Sequence, residues 1–259
     1  MKLSIVIPAY NEEARLGPML EAYTGYFDPR YGSDVELIVV VNGSRDDTEG
    51  VAESFLESTG SVRVIVEPDA IGKGGAIMLG ARHAQGDWIG FVDADGATPP
   101  EAFDDLVHHI GGAGAIIASR WLPESQVSPR QPLKRRIASR IFNFLVRKLF
   151  KVKITDTQCG AKLIRKEALQ AVLPKLGLTR WAFDVDLLFQ LRRAGFRIIE
   201  HPTVWHDVAG SQLKVGRVSC EMLLAITRLR LLHSPFKWIV DLYDWFAGRV
   251  RGGGQLDCN

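Results

Sequence analysis

Trp88-Ile89-Gly90-Phe91-Val92-Asp93-Ala94-Asp95 is an apolar run that stops abruptly at two carboxylates one residue apart. Four further runs of the same kind stand around it: Leu3–Ile7, Val35–Val41 and Val62–Val66 before, and Ala115–Ala118 after. They are rich in Val and Ile and carry no polar alternation, which is the pattern of strands covered on both faces. Between them lie segments with helical spacing, Glu12–Tyr23, Thr48–Ser58, Gly75–Ala84 and Pro100–Ile110. Strand and helix in alternation predict an α/β fold with a mostly parallel sheet and right-handed crossovers.

In such a sheet ligands bind outside the carboxyl ends of the strands. Asp93 and Asp95 then stand where a hard cation such as Mg²⁺ or Mn²⁺ would bridge to substrate phosphates, although Asp is also common at a plain strand-end turn. Ala9-Tyr10-Asn11 should end the first strand beside them. Glu12 and Glu13 open the following helix, where acids suit the dipole in any case. Asn42-Gly43-Ser44-Arg45-Asp46-Asp47-Thr48 reads as a turn with a helix cap. Gly72-Lys73-Gly74-Gly75 reads as an anion-tolerant helix start. The spacing is not that of a P-loop, and no GxGxxG occurs.

The second half differs. The chain has 259 residues and a net charge of +2, so bulk charge does not suggest a nucleic-acid binder. Yet nine basic residues and no acid lie between Ser125 and Thr155. Within that stretch Leu133, Ile137, Ile141, Phe144, Leu145 and Leu149 recur at helical spacing, beside a second stripe of Arg136, Arg140, Asn143, Arg147 and Lys151. This predicts an amphipathic helix over 132–150 with a cationic face. A helix over Phe183–Ala194, strands near Arg197–Ile199 and Thr203–Trp205, and a helix over Val215–Leu232 follow. The chain divides into residues 1–213 and a helical segment with a flexible tail, 214–259, whose aromatic end SPFKWIVDLYDWF is either an interfacial anchor or an outer layer of core. Three cysteines without CxxC spacing suggest neither a disulfide scaffold nor a zinc module. The absence of a long apolar stretch leaves only peripheral membrane contact.

The motifs in this order, SIVIPAYNEE, NGSRDDT, GKGGAI and DAD, resemble those of the family 2 inverting glycosyltransferases, which have the GT-A fold. FVDADGATPPE, Ala118–Arg120, TDTQCGAKL at Thr155–Leu163, RWAFDVDLL at Arg180–Leu188 and WHDVAGSQL at Trp205–Leu213 look like the dolichyl-phosphate β-glucosyltransferase branch. The resemblance runs from about residue 3 to 213. It implies transfer of a sugar, glucose from UDP-glucose, onto a polyprenyl phosphate at the cytoplasmic face of a membrane, with inversion. Asp93 and Asp95 would hold the metal. Pro8, Ala9, Tyr10, Glu12, Asn42, Asp46, Lys73 and Ala94 would frame the donor. Arg120, Arg136 and Arg140 would meet the acceptor phosphate, and Asp156, Gln158, Trp181, Asp184 and Asp186 would line the sugar or acceptor site. Two departures stand out. Val41 and Asn42 replace two acids of the family turn, and Ala97 stands where mannose-transferring relatives can offer a polar group to the metal, which leaves water, phosphate or His206 to complete its ligands.

The chemistry is consistent with that scheme. A leaving nucleoside diphosphate needs its developing charge offset. A phosphate monoester has a second pKa near ~6, so it is largely dianionic at neutral pH and needs placement more than a base. Arginine suits placement because its planar fork binds oxygens in pairs. A hydroxyl acceptor would instead require a base, for which Asp156, Asp184 and Asp186 are the candidates. Transfer of mannose from GDP-mannose and an inactive, nucleotide-binding peripheral module remain as alternatives.

Overall fold

The structure, a computed structural model, describes residues 2–129, 133–177, 182–206, 215–240 and 242; of 134, 135 and 215–221 it describes the backbone alone. Strand β1 (Leu3–Ala9) leads into α1 (Glu13–Tyr31), β2 (Val35–Asn42), α2 (Thr48–Glu53), β3 (Val62–Glu67), α3 (Gly72–His83), β4 (Trp88–Phe91), α4 (Pro100–His109) and β5 (Ala115–Ser119). Then come β6 (Gln126–Ser128), α5 (Leu133–Phe150), β7 (Lys162–Arg165), α6 (Lys166–Val172), α7 (Phe183–Arg193), β8 (Ile198–Pro202), β9 (Val204–His206) and α8 (Val215–Leu232).

Seven strands form one sheet in the order β3-β2-β1-β4-β7-β5-β8, and β6 pairs with β9 in a separate two-stranded ribbon. Every pairing in the large sheet is parallel except those of β7, which runs antiparallel to β4 and β5. The unbroken apolar runs have the expected cause. Ile5 and Ile7 face a core with Leu16, Leu20, Phe27 and Phe103, while Val6 faces the other way, onto Ile38, Ile77, Phe91 and Phe183. Both faces of the strand are covered, so its one polar side chain, Ser4, is buried and hydrogen-bonded, to Glu36 and the Gly86 amide.

Several features depart from the sequence reading: α2 stops at Glu53 rather than Ser58, β6 and α6 were not foreseen, and three further differences have a clear cause. The first helix runs on to Tyr31 through Pro18 and Pro29, because Tyr23 and Phe27 remain buried on its inner face and packing overrides the proline penalty. Helix α3 begins at Gly72 rather than Gly75; its glycines depress helix propensity but let it lie flush, since a Cβ at Gly74 or Gly80 would collide with Phe183 or Val6. Strand β7 was not expected at all. It is four residues long and starts with a lysine, Lys162, that is fully buried.

Beyond the sheet, Phe142, Val146 and Phe150 of α5 pack with Val185 and Leu188 of α7 and with Ile226 and Leu229 of α8. The expected tail after residue 242 lies outside the described residues. Among the described residues no helix is long and apolar enough to cross a membrane.

Candidate active site

Strands β1, β2 and β4 are parallel neighbours, so their carboxyl ends open on one edge of the sheet. The Val92 amide donates to the Val6 carbonyl at 3.1 Å, carrying the β1–β4 pairing one residue on and setting Asp93 beside the end of β1. The chain then turns at Gly96, whose φ of 72° is one that glycine adopts without strain. The Asp95 carboxylate accepts the Ala97 amide at 3.0 Å. From the other side the His206 amide donates to the Ala97 carbonyl at 2.8 Å, so β9 closes onto this turn. The His206 side chain is exposed.

The loops after β1 and β2 are zipped together. Asn42 is buried, and its amide nitrogen donates to the Ala9 carbonyl at 3.1 Å. The Asn11 side chain accepts the Arg45 amide at 2.9 Å, and the Thr48 hydroxyl accepts the Glu12 amide at 2.8 Å. Asp46 accepts the Glu13 amide at 3.2 Å and both the amide and the hydroxyl of Thr48. Slight burial would raise its pKa, but these hydrogen bonds outweigh that and hold the carboxyl below its usual range. Asp46 therefore caps α2, and Asp47 makes no side-chain cap bond. Tyr10, 48% exposed, is left projecting at the strand end.

Charge is concentrated between these loops. Lys73, in the first turn of α3, pairs with Asp93 at 2.5 Å. Its burial disfavours the ammonium, yet Asp93, Asp184 and Asp95 together hold it above the usual lysine range. Glu12 forms a bidentate pair with Arg15 at 2.6 and 2.7 Å. Burial nonetheless keeps the Glu12 carboxyl above its usual range, helped by Asp95 and Asp93. Asp95 is likewise raised, by burial first and then by the charge of Asp93. Carboxylates that repel one another at a strand end are a donor set matched to a hard dication, which takes oxygen ligands and relieves that repulsion. The residues present thus fit Mg²⁺ or Mn²⁺ on Asp93 and Asp95.

Gly160, in the loop before β7, faces the same pair: a Cβ there would overlap the Asp93 carboxylate. Gly160→Ala should therefore displace Asp93 from Lys73 while leaving the core intact. The expected result is a loss of donor binding of about tenfold or more, on the scale of one charge-assisted contact, with a melting temperature near wild type. Donor titration by calorimetry alongside thermal unfolding checks this, and unchanged affinity would rule it out.

A second polar cluster lies at the end of β5. Asp156 is fully buried and accepts three bonds from Arg120, two from the guanidinium at 2.8 and 3.0 Å and one from its amide at 3.0 Å. Burial opposes its charge, but Arg120 prevails and holds the carboxyl below its usual range. Glu200 of β8 supports the segment by accepting the amides of Thr155 and Asp156 at 2.9 and 3.1 Å. Asn143 of α5 accepts the amide and hydroxyl of Thr157 at 2.9 and 2.7 Å. The Arg120 guanidinium stacks over Trp205 at 4.9 Å, and Arg140 stands over Trp121 at 5.0 Å. Around this cluster three buried N–H donors, on Trp121, Gln158 and Trp205, find no partner among the described residues.

Asp184 and Asp186 are engaged inside the chain. Asp184 pairs with buried Lys162 at 2.6 Å; burial opposes its charge, and Lys162 and Lys73 hold it low. Asp186 accepts the Gly177 amide at 3.0 Å and the Gln190 amide at 3.1 Å. Burial pushes the Cys159 thiol up to about 11, which suits an inert packing residue. Trp181 lies outside the described residues. Arg136 sits one turn before Arg140 on α5 and is partly exposed. The sequence reading passed over Lys162, Glu200, Gly160 and Trp121. The Glu12/Arg15, Asp46/Thr48 and Asp186/Gln190 pairs are local in sequence; those of Asp93 with Lys73, Asp156 with Arg120 and Asp184 with Lys162 join distant segments.

Residues 4–173 match the family described as Glycosyl transferase family 2. A dolichyl-phosphate β-glucosyltransferase of Homo sapiens is 36% identical over 253 residues, covering 93% of this chain and 78% of that protein. One from Dictyostelium discoideum is 32% identical over 248 residues, covering 91% and 76%. Among solved structures, the glucosyl-3-phosphoglycerate synthase of Mycobacterium tuberculosis in complex with Mn²⁺, uridine diphosphate and phosphoglyceric acid superposes with a TM-score of 0.65. It is 21% identical and covers 90% of this chain and 78% of that one, a likeness of fold.

Proposed function

The chain belongs to glycosyl transferase family 2, and from that premise we propose that it transfers glucose from UDP-glucose to a polyprenyl phosphate such as dolichyl phosphate, with inversion at the anomeric carbon. The names of the relatives in human and Dictyostelium support this acceptor and sugar. The observation that carries the reading is a set of three buried N–H donors without a partner among the described residues: on Trp121, next to Arg120 in the chain; on Trp205, whose ring lies against the Arg120 guanidinium; and on Gln158, two residues after Asp156. A buried donor without an acceptor costs about 1–3 kcal/mol. Each of the three would be satisfied by a substrate oxygen.

Each group has one task in this reading. Asp93 and Asp95 hold a Mg²⁺ or Mn²⁺ ion, which supplies charge to offset the departing diphosphate. The Lys73 ammonium adds a fixed positive charge at the same place, at the N-terminus of α3. Pro8, Ala9, Tyr10 and Ala94 frame the donor, with Asn42 and Asp46 fixing the loops that carry them. Trp121, Gln158 and Trp205 donate to oxygens of the acceptor phosphate or the sugar. Arg136 and Arg140 draw the phosphate in along α5. The phosphate oxygen attacks the anomeric carbon from the face opposite the leaving group, without a base. His206 stands beside the metal turn as the reserve ligand.

The membrane partner follows from α5 and α8. Leu133, Ile137, Ile141 and Phe144 are exposed along one side of α5, and Leu223, Leu224, Phe236 and Trp238 are exposed at and beyond α8. Exposed Arg147 and Lys148 flank the α5 stripe. An apolar stripe bordered by cations suits the interface of an anionic bilayer at the cytoplasmic face.

The test uses anionic vesicles carrying polyprenyl phosphate, with UDP-glucose and Mg²⁺. Wild type should form an acid-labile glucosyl lipid and sediment with the vesicles. Trp205→Phe, which removes the N–H and leaves a smaller aromatic ring, should lower kcat/KM for the lipid at least about 5- to 30-fold, the scale of one hydrogen bond. Its KM for UDP-glucose should not move. No lipid product with UDP-glucose would overturn the reading.

A further inference from the structure

Three metal-ligating side chains other than the carboxylates of the donor site converge on the outside of the fold. Asp105 and His109 are one turn apart on α4, and His201 lies on β8, the edge strand that pairs with β5 alone in the large sheet. One ligand atom from each lies within 4.8 Å of the other two. His201 Nε2 stands 3.9 Å from an Asp105 carboxylate oxygen, and the two imidazole rings stack with centroids 4.2 Å apart. Two stacked imidazoles tolerate each other when neutral, which is also the form that ligates a metal. Burial and the neighbouring His109 both hold the His201 ring below its usual range, with Asp105 opposing them. His109 Nδ1 lies 2.7 Å from the Asp105 backbone carbonyl. A carbonyl can only accept, so Nδ1 carries the proton and the ring's lone pair is on Nε2. Nothing in the transfer reaction uses these three residues.

We propose that Asp105, His109 and His201 bind a borderline transition-metal dication, with Zn²⁺ as the reference ion, at a site separate from that of Asp93 and Asp95. Two imidazoles and one carboxylate are a donor set for Zn²⁺, Ni²⁺ or Cu²⁺, whereas Mg²⁺ takes oxygen ligands. Three protein ligands leave the fourth tetrahedral position to water. With metal–ligand distances of ~2.0–2.2 Å, ligand atoms stand roughly 3.3 Å apart in such a site. Asp105 and His109 are both exposed, so small side-chain rotations close the remaining gap. An ion there would tie the edge strand to α4. It would also steady Glu200, the residue before His201, which accepts the amides of Thr155 and Asp156.

The experiment uses the full chain without a histidine tag, stripped with a chelator, and compares wild type, His109→Gln, His201→Gln and Asp95→Asn. Zn²⁺ is titrated by calorimetry, and thermal unfolding is followed with and without the ion in the presence of excess Mg²⁺. Wild type and Asp95→Asn should each take up one more Zn²⁺ than the two histidine variants, with a rise in melting temperature that both histidine variants lose. Because His109 is exposed, His109→Gln should match the wild-type melting temperature without metal, which separates loss of a ligand from loss of fold. Equal Zn²⁺ uptake by wild type and either histidine variant, or displacement of the ion by Mg²⁺, would overturn the site. All three cysteines remain in every variant, so thiol binding cancels from the comparison.

Discussion

Asp95→Asn is expected to cut sugar transfer by roughly 10²–10³-fold or more, the loss associated with removing one charge-stabilising group, while making the metal-free protein more stable than wild type. Both effects have one cause. The folded chain holds the Asp95 carboxyl above its usual value because it is buried and faces Asp93. For an acid, a raised folded pKa means that the folded state binds the proton more tightly than the unfolded chain does. Stability is therefore greatest below the unfolded value of 3.8 and falls as pH rises through the raised folded value. At neutral pH the ionised group strains the fold, and an isosteric amide removes that strain. A gain of about 1 kcal/mol would raise the melting temperature by about 2–4 °C in a chain of this size. With Mg²⁺ and UDP present the order should reverse, since only wild type gains fully from binding. Thermal unfolding in chelator and in Mg²⁺ with UDP measures both halves. An Asp95→Asn protein that is less stable in chelator would remove the argument that a cation is what this pair of carboxylates lacks.

How much of this was legible in the sequence depends on the range of the interaction concerned. Four of the five parallel strands announced themselves because burial on both faces leaves a one-dimensional signature in Val and Ile, while β3, at the sheet edge, carries the same apolar run although Val66 is exposed. The carboxylates at the end of β4 were legible for a related reason: an acid directly after such a strand has one place to go. Lys162 shows the opposite case. A lysine carries no sequence signal for burial, and what makes burial tolerable here is the bond to the Cys159 carbonyl together with the pairing with Asp184, 22 residues on. The antiparallel strand it begins was hidden with it. Asp156 and Arg120 were singled out separately, one as a base or sugar contact and the other as a phosphate binder. That they bind each other is a fact of the sheet, since Glu200 on β8 presents the 155–156 segment to the end of β5. Gly160 belonged to a recognisable motif, but the reason for a glycine there is the Asp93 carboxylate it faces.

The Arg120–Asp156 pair yields the second large effect. Arg120→Met is expected to destabilise the protein by about 3–5 kcal/mol at neutral pH, because it leaves a fully buried carboxylate without its counterion. Against a total stability of ~5–15 kcal/mol that is a large fraction. Asp156→Asn should cost less, since the arginine that remains keeps a stacking partner in Trp205 and is not fully enclosed. Acidification tells the two apart. In wild type the Asp156 carboxyl is held low, so its contribution is present above 3.8 and is lost only as pH falls through the still lower folded value. In Arg120→Met the same carboxyl keeps the amide of residue 120 and the charge of Lys162 but loses the guanidinium, so burial weighs more heavily, raises its pKa and favours uptake of a proton. The stability gap between wild type and Arg120→Met should therefore narrow steadily as pH is lowered from 7 to about 5, while the gap for Asp156→Asn stays constant over that range. Urea unfolding at several pH values reads both. A gap for Arg120→Met that ignores pH would place its cost in lost packing over Trp205 rather than in charge. The same electrostatics bears on the reaction. A carboxylate held low by a bidentate arginine is a weak base, poorly suited to deprotonate a hydroxyl. The Asp156 position therefore favours an acceptor that arrives already ionised, as a phosphate does.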